Sequence, residues 1–352
     1  MKYSFKIGSI WGIPIELHIT FILLMILELF LSWPSLYFFV LTLFLFVFVT
    51  FHELSHCLVA RHYGIKVRKI VLYPIGGVSE IEEIPENPRV EWRMAIAGPL
   101  TSFVIGLVLF GLGQVLTVTT PALSLLVTTD NMILELAQLN ILLGAFNLIP
   151  AFPMDGGRVL RALLAEHLKF SDATKYAAFI GRLLGVFMAV FGIFYDFWLI
   201  IVGAFIYIGA TEEAESTIVS TTLARVRVKD VMQPQAAVVA PEATLTEALE
   251  TMLKARYHDI LVEKDGSLLG IVTWDEIVKI KPEQRSTLQV KQLPIKQFST
   301  FPDNSILEVY KIMAQEKINT VPVVDKEAPT KVLGVITSES IAYAYEKAKT
   351  LR

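Results

Sequence analysis

The sequence predicts an α-helical polytopic membrane domain of about six transmembrane helices with a short β-hairpin element, followed by an α/β module built from a tandem repeat. Three observations lead there. Charge is unevenly divided, with 13 Lys/Arg and 14 Asp/Glu in residues 1–211 against 18 and 20 in the last 141. The first part holds apolar stretches close to the about 20 residues that cross a bilayer. The second part repeats weakly. Val228-Lys229 is matched by Val290-Lys291, Met252 by Met313, and Gly270-Ile-Val-Thr273 by Gly334-Val-Ile-Thr337, at offsets of 62, 61 and 64 residues.

Composition narrows the class further. Of 352 residues 54% are hydrophobic and 18% charged, against about 25% charged in an ordinary soluble domain. A single cysteine, Cys57, excludes a disulfide scaffold and a thiolate metal cluster. Its site beside no activating group reads as packing. The formal net charge of −3 gives no basic field for nucleic acid.

The candidate spans run in order from Leu17–Trp33, Leu36–Ala60, Val90–Val118 and Asn131–Ile149 to Tyr176–Phe194 and Phe197–Ala210. The first is too long, and too weakly flanked by a cleavage site, for a removable signal peptide. Between the second and third, Val67–Ile84 reads as short strands around a Gly-Gly turn. Lysines and arginines gather at Lys2 and Lys6, at Arg61 to Lys69 with Arg89 and Arg93, and at Arg158 to Arg182. Loops 31–36, 117–131 and 192–197 hold none, which places both termini and the tail in the cytoplasm. The expected setting is the cell membrane. The domains expected are 1–211, a polar linker at 212–224, and repeats at about 225–284 and 285–352.

Ionisable groups inside a bilayer are costly and usually mark function. The second span ends in Phe51-His52-Glu53-Leu54-Ser55-His56. Histidines four apart lie on one helix face and can grip one metal ion, with Glu53 beside them as a proton acceptor for a metal-bound water. The bland alternative is a polar patch satisfied by neighbouring helices. A catalytic zinc site needs a third protein ligand. His62 and His18 read as interfacial, and the stronger candidate is Asp155 in Asn147-Leu-Ile-Pro-Ala-Phe-Pro-Met-Asp155-Gly-Gly-Arg158. Two prolines break the helix there, Gly156-Gly157 let the backbone turn, and irregular backbone at membrane depth is tolerated where it lines a cavity. Alone, Asp155 reads equally as a helix N-cap. Asn140 reads as a hydrogen bonder between helices.

Together these residues resemble the site-2 protease family of intramembrane zinc metalloproteases, and Pro74-Ile-Gly-Gly77 and Ala97-Gly98-Pro99 agree with it. The resemblance covers nearly all of 1–211. It implies one Zn²⁺ per chain held by His52, His56 and Asp155, with Glu53 as general base and Asn147 positioning substrate or stabilising the oxyanion. It also implies a strand, marked by Gly76 and Gly77, that receives an unwound transmembrane protein substrate by β-addition. The tail resembles a tandem pair of CBS (cystathionine-β-synthase) domains, which often bind adenosine nucleotides such as ATP or AMP. There Thr273, Glu276 and Thr337 are the candidates. Ser340 stands where the second repeat would need a carboxylate, so at most one good ribose site follows. A dimerising module without ligand is the alternative for the tail. For the whole chain the rivals are a transporter or channel gated by the tail and an inactive membrane scaffold. The missing internal symmetry and the intact Glu53 speak against them.

Overall fold

The computed structural model describes residues 3–81, 86–119, 129–234 and 236–350. The chain divides into two compact units, Met1–Glu215 and Ser216–Arg352.

The first unit opens with two strands, β1 (Ser4–Ile10) and β2 (Ile13–His18), joined by Trp11 and Gly12. Both turn residues have positive φ, 48° and 80°, which suits the right-handed twist of a two-residue hairpin. The chain then forms α1 (Ile19–Leu31) and α2 (Tyr37–His62), followed by β3 (Val67–Tyr73) and β4 (Gly76–Ile81). The four strands make one sheet in the order β1-β2-β3-β4, with β2 and β3 parallel. Ile13, Ile70 and Leu72 on this sheet pack against Phe21, Phe46 and Leu54 of α1 and α2. Lys69 Nζ donates to Glu16 Oε2 at 2.7 Å and ties β3 to β2. That bond holds Glu16 below its ordinary carboxylate range. Glu16 in turn raises Lys69 above the usual ammonium value.

The remaining helices of this unit are α3 (Pro88–Thr119), α4 (Thr129–Asn147), α5 (Asp155–Ala165), α6 (Phe170–Tyr195) and the part of α7 (Phe197–Leu223) up to Glu215. Among the described residues four helices, α2, α3, α6 and α7, are long and apolar enough to cross a membrane. Against the six spans expected, α1 and α4 are shorter. In α1 the physical reason is that Leu17 and His18 belong to β2, leaving 13 helical residues, or about 20 Å at 1.5 Å per residue. The tight turn expected between the last two spans is present at Asp196, whose Oδ1 accepts the Trp198 N–H. Large apolar side chains such as Phe187 and Phe194 stay exposed. In lipid that is no penalty, because the tails are as apolar as the side chains.

Two details differ from expectation. The β3–β4 turn is Pro74-Ile75, and Gly76 and Gly77 already belong to β4, paired with Tyr73 and Leu72. Residues 82–84 of the expected strand segment, Lys2, and most of loop 117–131 lie outside the described residues. The stretch 212–224, expected as linker, is helical through Leu223 as the continuation of α7.

The second unit contains β5 (Val238–Val239), α8 (Leu245–Ala255), β6 (Asp259–Lys264), β7 (Ser267–Thr273) and α9 (Trp274–Val278). A second pass follows with α10 (Ile306–Glu316), β8 (Thr320–Val324), β9 (Val332–Thr337) and α11 (Ser338–Thr350). Amphipathic spacing and capping explain the helices. Thr244 and Glu247 form a reciprocal capping box at the start of α8. The two passes exchange backbone. Gln233 pairs with Val335, and Lys296 with Ile271, each through two reciprocal hydrogen bonds of 2.8–2.9 Å. Asp259 adds a third tie, its buried carboxylate accepting N–H bonds from Asn319 and Thr320. Burial pushes Asp259 above the ordinary carboxylate range despite those bonds.

Candidate metal centre

His52 and His56 lie on the buried face of α2, one helical turn apart. Their rings meet edge to face with centroids 4.9 Å apart. Asp155 comes from the other side of the fold as the first residue of α5, after a break at 148–154. Its Oδ2 stands 3.2 Å from Nε2 of both histidines. Met154, not Asp155, is the N-cap of α5, so the carboxylate is not spent on capping.

The other ring nitrogens are already engaged. His56 Nδ1–H donates to the Met94 carbonyl at 2.7 Å. His52 Nδ1 lies 2.9 Å from Ser102 Oγ. Both partners belong to α3. The His56 bond fixes the proton on Nδ1, which leaves the Nε2 lone pair facing Asp155. Across from the rings is Gly98, also on α3. A Cβ built there would fall 2.5 Å from His52 Nε2 and closer still to His56 Nε2. Any side chain at 98 would enter the place where the donor atoms converge. His52, His56 and Asp155 form a group whose ligating atoms all lie within 4.8 Å. Two imidazoles and one carboxylate suit Zn²⁺ and leave a position open. The residues present therefore fit such an ion.

Glu53 faces the sheet. Its Oε2 accepts a hydrogen bond from Ser79 Oγ on β4 at 2.5 Å. Gly77 of β4 passes so close that an added Cβ would stand 2.5 Å from Glu53 Cγ. Cys57 Sγ donates to the same serine at 3.3 Å and is fully buried, a packing residue. Gly156 and Gly157, expected to supply backbone freedom, are helical. They are small because α5 starts against the backbone of Leu148, Ala151 and Phe152.

Two asparagines depart from the cluster. Asn147 ends α4 and its Nδ2 donates to Leu143 O of its own helix at 3.0 Å. Asn140, expected to bond between helices, likewise donates to Leu136 O of its own helix. Ser102, Met94 and Ser79 have no counterpart among the residues expected at the site, and Gly98 enters there only as part of Ala97-Gly98-Pro99. A serine inside an apolar span was the one available signal for Ser102, and a backbone carbonyl leaves none.

In the second unit Thr273 caps α9, accepting the Glu276 N–H at 3.4 Å, and Glu276 pairs with Lys279 Nζ at 2.6 Å. Thr337 is tied to Ser340, whose Oγ accepts the Thr337 N–H at 2.8 Å. A separate cavity of about 360 Å³ is lined by Val219, Leu223, Tyr310, Met313, Ile341 and Tyr345, and none of the three candidate residues borders it.

Two histidines and an aspartate gathered this way among apolar helices form a candidate metal centre. The model of peptidase family M50 matches residues 40–134 and 124–190, and that of the CBS domain matches 228–283 and 290–347. Zinc metalloprotease MJ0392 of Methanocaldococcus jannaschii is 40% identical over 317 residues, 89% of each chain. The solved site-2 protease from Methanocaldococcus jannaschii is 44% identical and covers 60% of this chain and 95% of its own, with a TM-score of 0.45. Stage IV sporulation protein FB of Bacillus subtilis is 29% identical over 130 residues, 37% of this chain and 42% of that protein. The chain belongs to the site-2 protease family, peptidase family M50, and carries a tandem CBS pair behind the protease domain. It is a zinc metalloprotease of the membrane.

Proposed function

We propose that this protease cleaves a peptide bond within a transmembrane segment of a membrane-protein substrate, and that its cytoplasmic CBS pair controls it. The observation that carries the reading is the meeting of His52, His56 and Asp155 beside Glu53 in otherwise apolar helices. In this reading the three residues hold one zinc ion. A zinc ion held there would lower the pKa of a bound water to about 7 and polarise the substrate carbonyl. Glu53, oriented by Ser79, takes the water's proton as the water oxygen bonds to the carbonyl carbon, and returns it to the leaving nitrogen as the C–N bond breaks. Asn147 turns its amide from Leu143 to the carbonyl oxygen of the substrate.

A transmembrane helix has its amides paired internally, so it must unwind before hydrolysis. β4 is an edge strand of the sheet, and its Gly77 passes over Glu53. An extended peptide added to that edge regains backbone hydrogen bonds beside the general base.

Both termini and the CBS pair lie in the cytoplasm, a reading supported by the clustering of Lys and Arg. His52 is then about 23 Å along α2, given 1.5 Å per residue, inside a hydrocarbon core of about 30 Å and nearer its cytoplasmic face. Ser55→Cys should label slowly from the cytoplasm, and preferential labelling from outside would reverse the topology. The CBS pair takes an adenosine nucleotide at Thr273 and Glu276 more than at Thr337, because Ser340 closes on Thr337 and offers no carboxylate. It also supplies the contact for a homodimer. ATP or AMP should raise the melting temperature of the wild type, and Thr273→Ala with Glu276→Ala should remove the shift.

The deciding experiment compares wild type with Glu53→Gln on a co-expressed single-span substrate. Loss of the general base should slow cleavage by about 10²–10⁴-fold with zinc retained. His56→Ala should lose zinc. Wild-type turnover in Glu53→Gln removes Glu53 from the mechanism.

A further inference from the structure

Arg161 is 3% exposed and Glu91 is fully buried. From α5, Arg161 Nε donates to Glu91 Oε1 of α3 at 2.7 Å, and Nη2 reaches the same oxygen. Its Nη1 donates to Glu213 Oε1 of α7 at 3.0 Å. The guanidinium also lies over two rings, 5.0 Å from the centroid of Phe152 and 4.9 Å from that of Phe170. One side chain thus joins α3, α5, α6, α7 and the broken segment before Asp155.

Stability alone is a weak reason for such a cluster. Desolvating each charge costs several kcal/mol, and an apolar replacement of the same shape is often as stable. Its geometry gives a better reason. Asp155 opens α5, and Arg161 follows six residues later on the same 11-residue helix. Glu91 is on α3, the helix whose Met94 carbonyl and Ser102 hydroxyl hold the two imidazoles. The Arg161–Glu91 bond therefore fixes the helix bearing the carboxylate against the helix that anchors the histidines. Phe152 beneath the guanidinium fixes the chain as it enters Asp155, and Glu213 anchors the same guanidinium to α7. A fork of parallel N–H donors suits this task, where a lysine would supply only a point charge.

We propose that Arg161, held by Glu91 and Glu213, is a positioning residue that sets where the Asp155 carboxylate stands relative to His52 and His56. The proposal rests on those three being the zinc ligands. Glu213→Gln, Arg161→Lys and Arg161→Met are made in the full chain, with His56→Ala and Gly192→Ala beside them. Gly192→Ala crowds Ile200 at the far end of α6 and α7 and serves as a control for lost stability.

Zinc affinity is read by chelator competition, kcat and KM by cleavage of a single-span substrate, and stability by melting. Groups that orient metal ligands typically change affinity or activity by about 10- to 100-fold. Glu213→Gln and Arg161→Lys should weaken zinc within that range and lower kcat with KM unchanged, and Arg161→Met should weaken it more. Gly192→Ala should melt earlier with wild-type zinc affinity. If Glu213→Gln and Arg161→Lys melt earlier yet bind zinc and turn over like wild type, the cluster is structural and the proposal fails. Should Arg161→Met not fold, these two milder variants decide. Zinc retained by His56→Ala overturns the ligand assignment and this proposal with it. Zinc lost there but kept by the cluster variants sinks the positioning role alone.

Discussion

Gly77→Ala isolates the placement of Glu53 from the binding of metal. An ideal Cβ at position 77 stands 2.5 Å from Glu53 Cγ, and 3.3 Å from both Glu53 Cδ and Val49 Cγ1. Ordinary contact begins near 3.4 Å, so Glu53 must retreat by about 1 Å. The strand cannot yield as easily, because Gly77 is paired with Leu72 inside the sheet. A 1 Å misplacement of a catalytic group costs about 10²-fold in rate, and the crowding costs about 1–3 kcal/mol of stability. Neither histidine nor Asp155 is touched, so zinc should remain stoichiometric. The assay is cleavage of a single-span substrate in proteoliposomes, with zinc content and melting temperature measured on the same samples. Gly76→Ala is the comparison. A Cβ there meets nothing within 4 Å, but φ is +138°, so its cost should fall mainly on stability, about 1–3 kcal/mol. Wild-type kcat in Gly77→Ala would refute the claim that β4 sets the position of Glu53.

Three further outcomes follow from the contacts. Ser102→Ala removes the partner of His52 Nδ1 and should weaken zinc about 10- to 100-fold; unchanged affinity in chelator competition would make Ser102 irrelevant to the ring. Asp259→Ala leaves two backbone N–H groups of the other repeat unpaired and should cost about 1–3 kcal/mol in denaturant unfolding, with Asp259→Asn costing much less; equal losses would mean the charge matters more than the acceptor. The Glu16–Lys69 pair acts in a pH window. Glu16 is held below its ordinary value of 4.5, so its contribution is present above that pH and fades as pH falls through the folded value. Lys69 is raised above 10.5, so its contribution is present below that and fades as pH climbs through the folded value. Glu16→Gln should therefore melt earlier than wild type at neutral pH and converge with it in acid; a gap that persists in acid would assign the loss to packing.

Much of the centre was legible because its parts violate the chemistry of their surroundings. Two histidines and a glutamate in an apolar helix stand out, as does an aspartate behind two prolines. The repeats of the second unit are legible from recurrence, since Gly270-Ile-Val-Thr273 returns as Gly334-Val-Ile-Thr337 at nearly the offset of the other matched pairs. The sheet was only half visible. β3 and β4 announce themselves around Pro74-Ile-Gly-Gly77, whereas β1 and β2 have no counterpart in the expected elements, the first span taking in only Leu17 and His18 at the end of β2. The signal existed in Trp11-Gly12 and the alternation of Ile13, Ile15 and Leu17, but a hydropathy window wide enough for a membrane span averages it away. The supports of the histidines were harder still. Met94 acts through its carbonyl, which every residue owns. Arg161 and Glu91 are 70 residues apart, and only the packing of α5 on α3 makes them neighbours.

Gly98 gives the centre an unusual vulnerability. One methyl group there would stand 2.5 Å from His52 Nε2 and closer still to His56 Nε2, where the three candidate donor atoms converge. Gly98→Ala is expected to leave Glu53 and the β4 edge able to receive an extended peptide while hydrolysis stops. Such a protein would work as bait: a substrate that enters is held and not cut. Uncleaved membrane proteins recovered with Gly98→Ala, and absent from the wild type, would then name the targets that the sequence itself does not disclose.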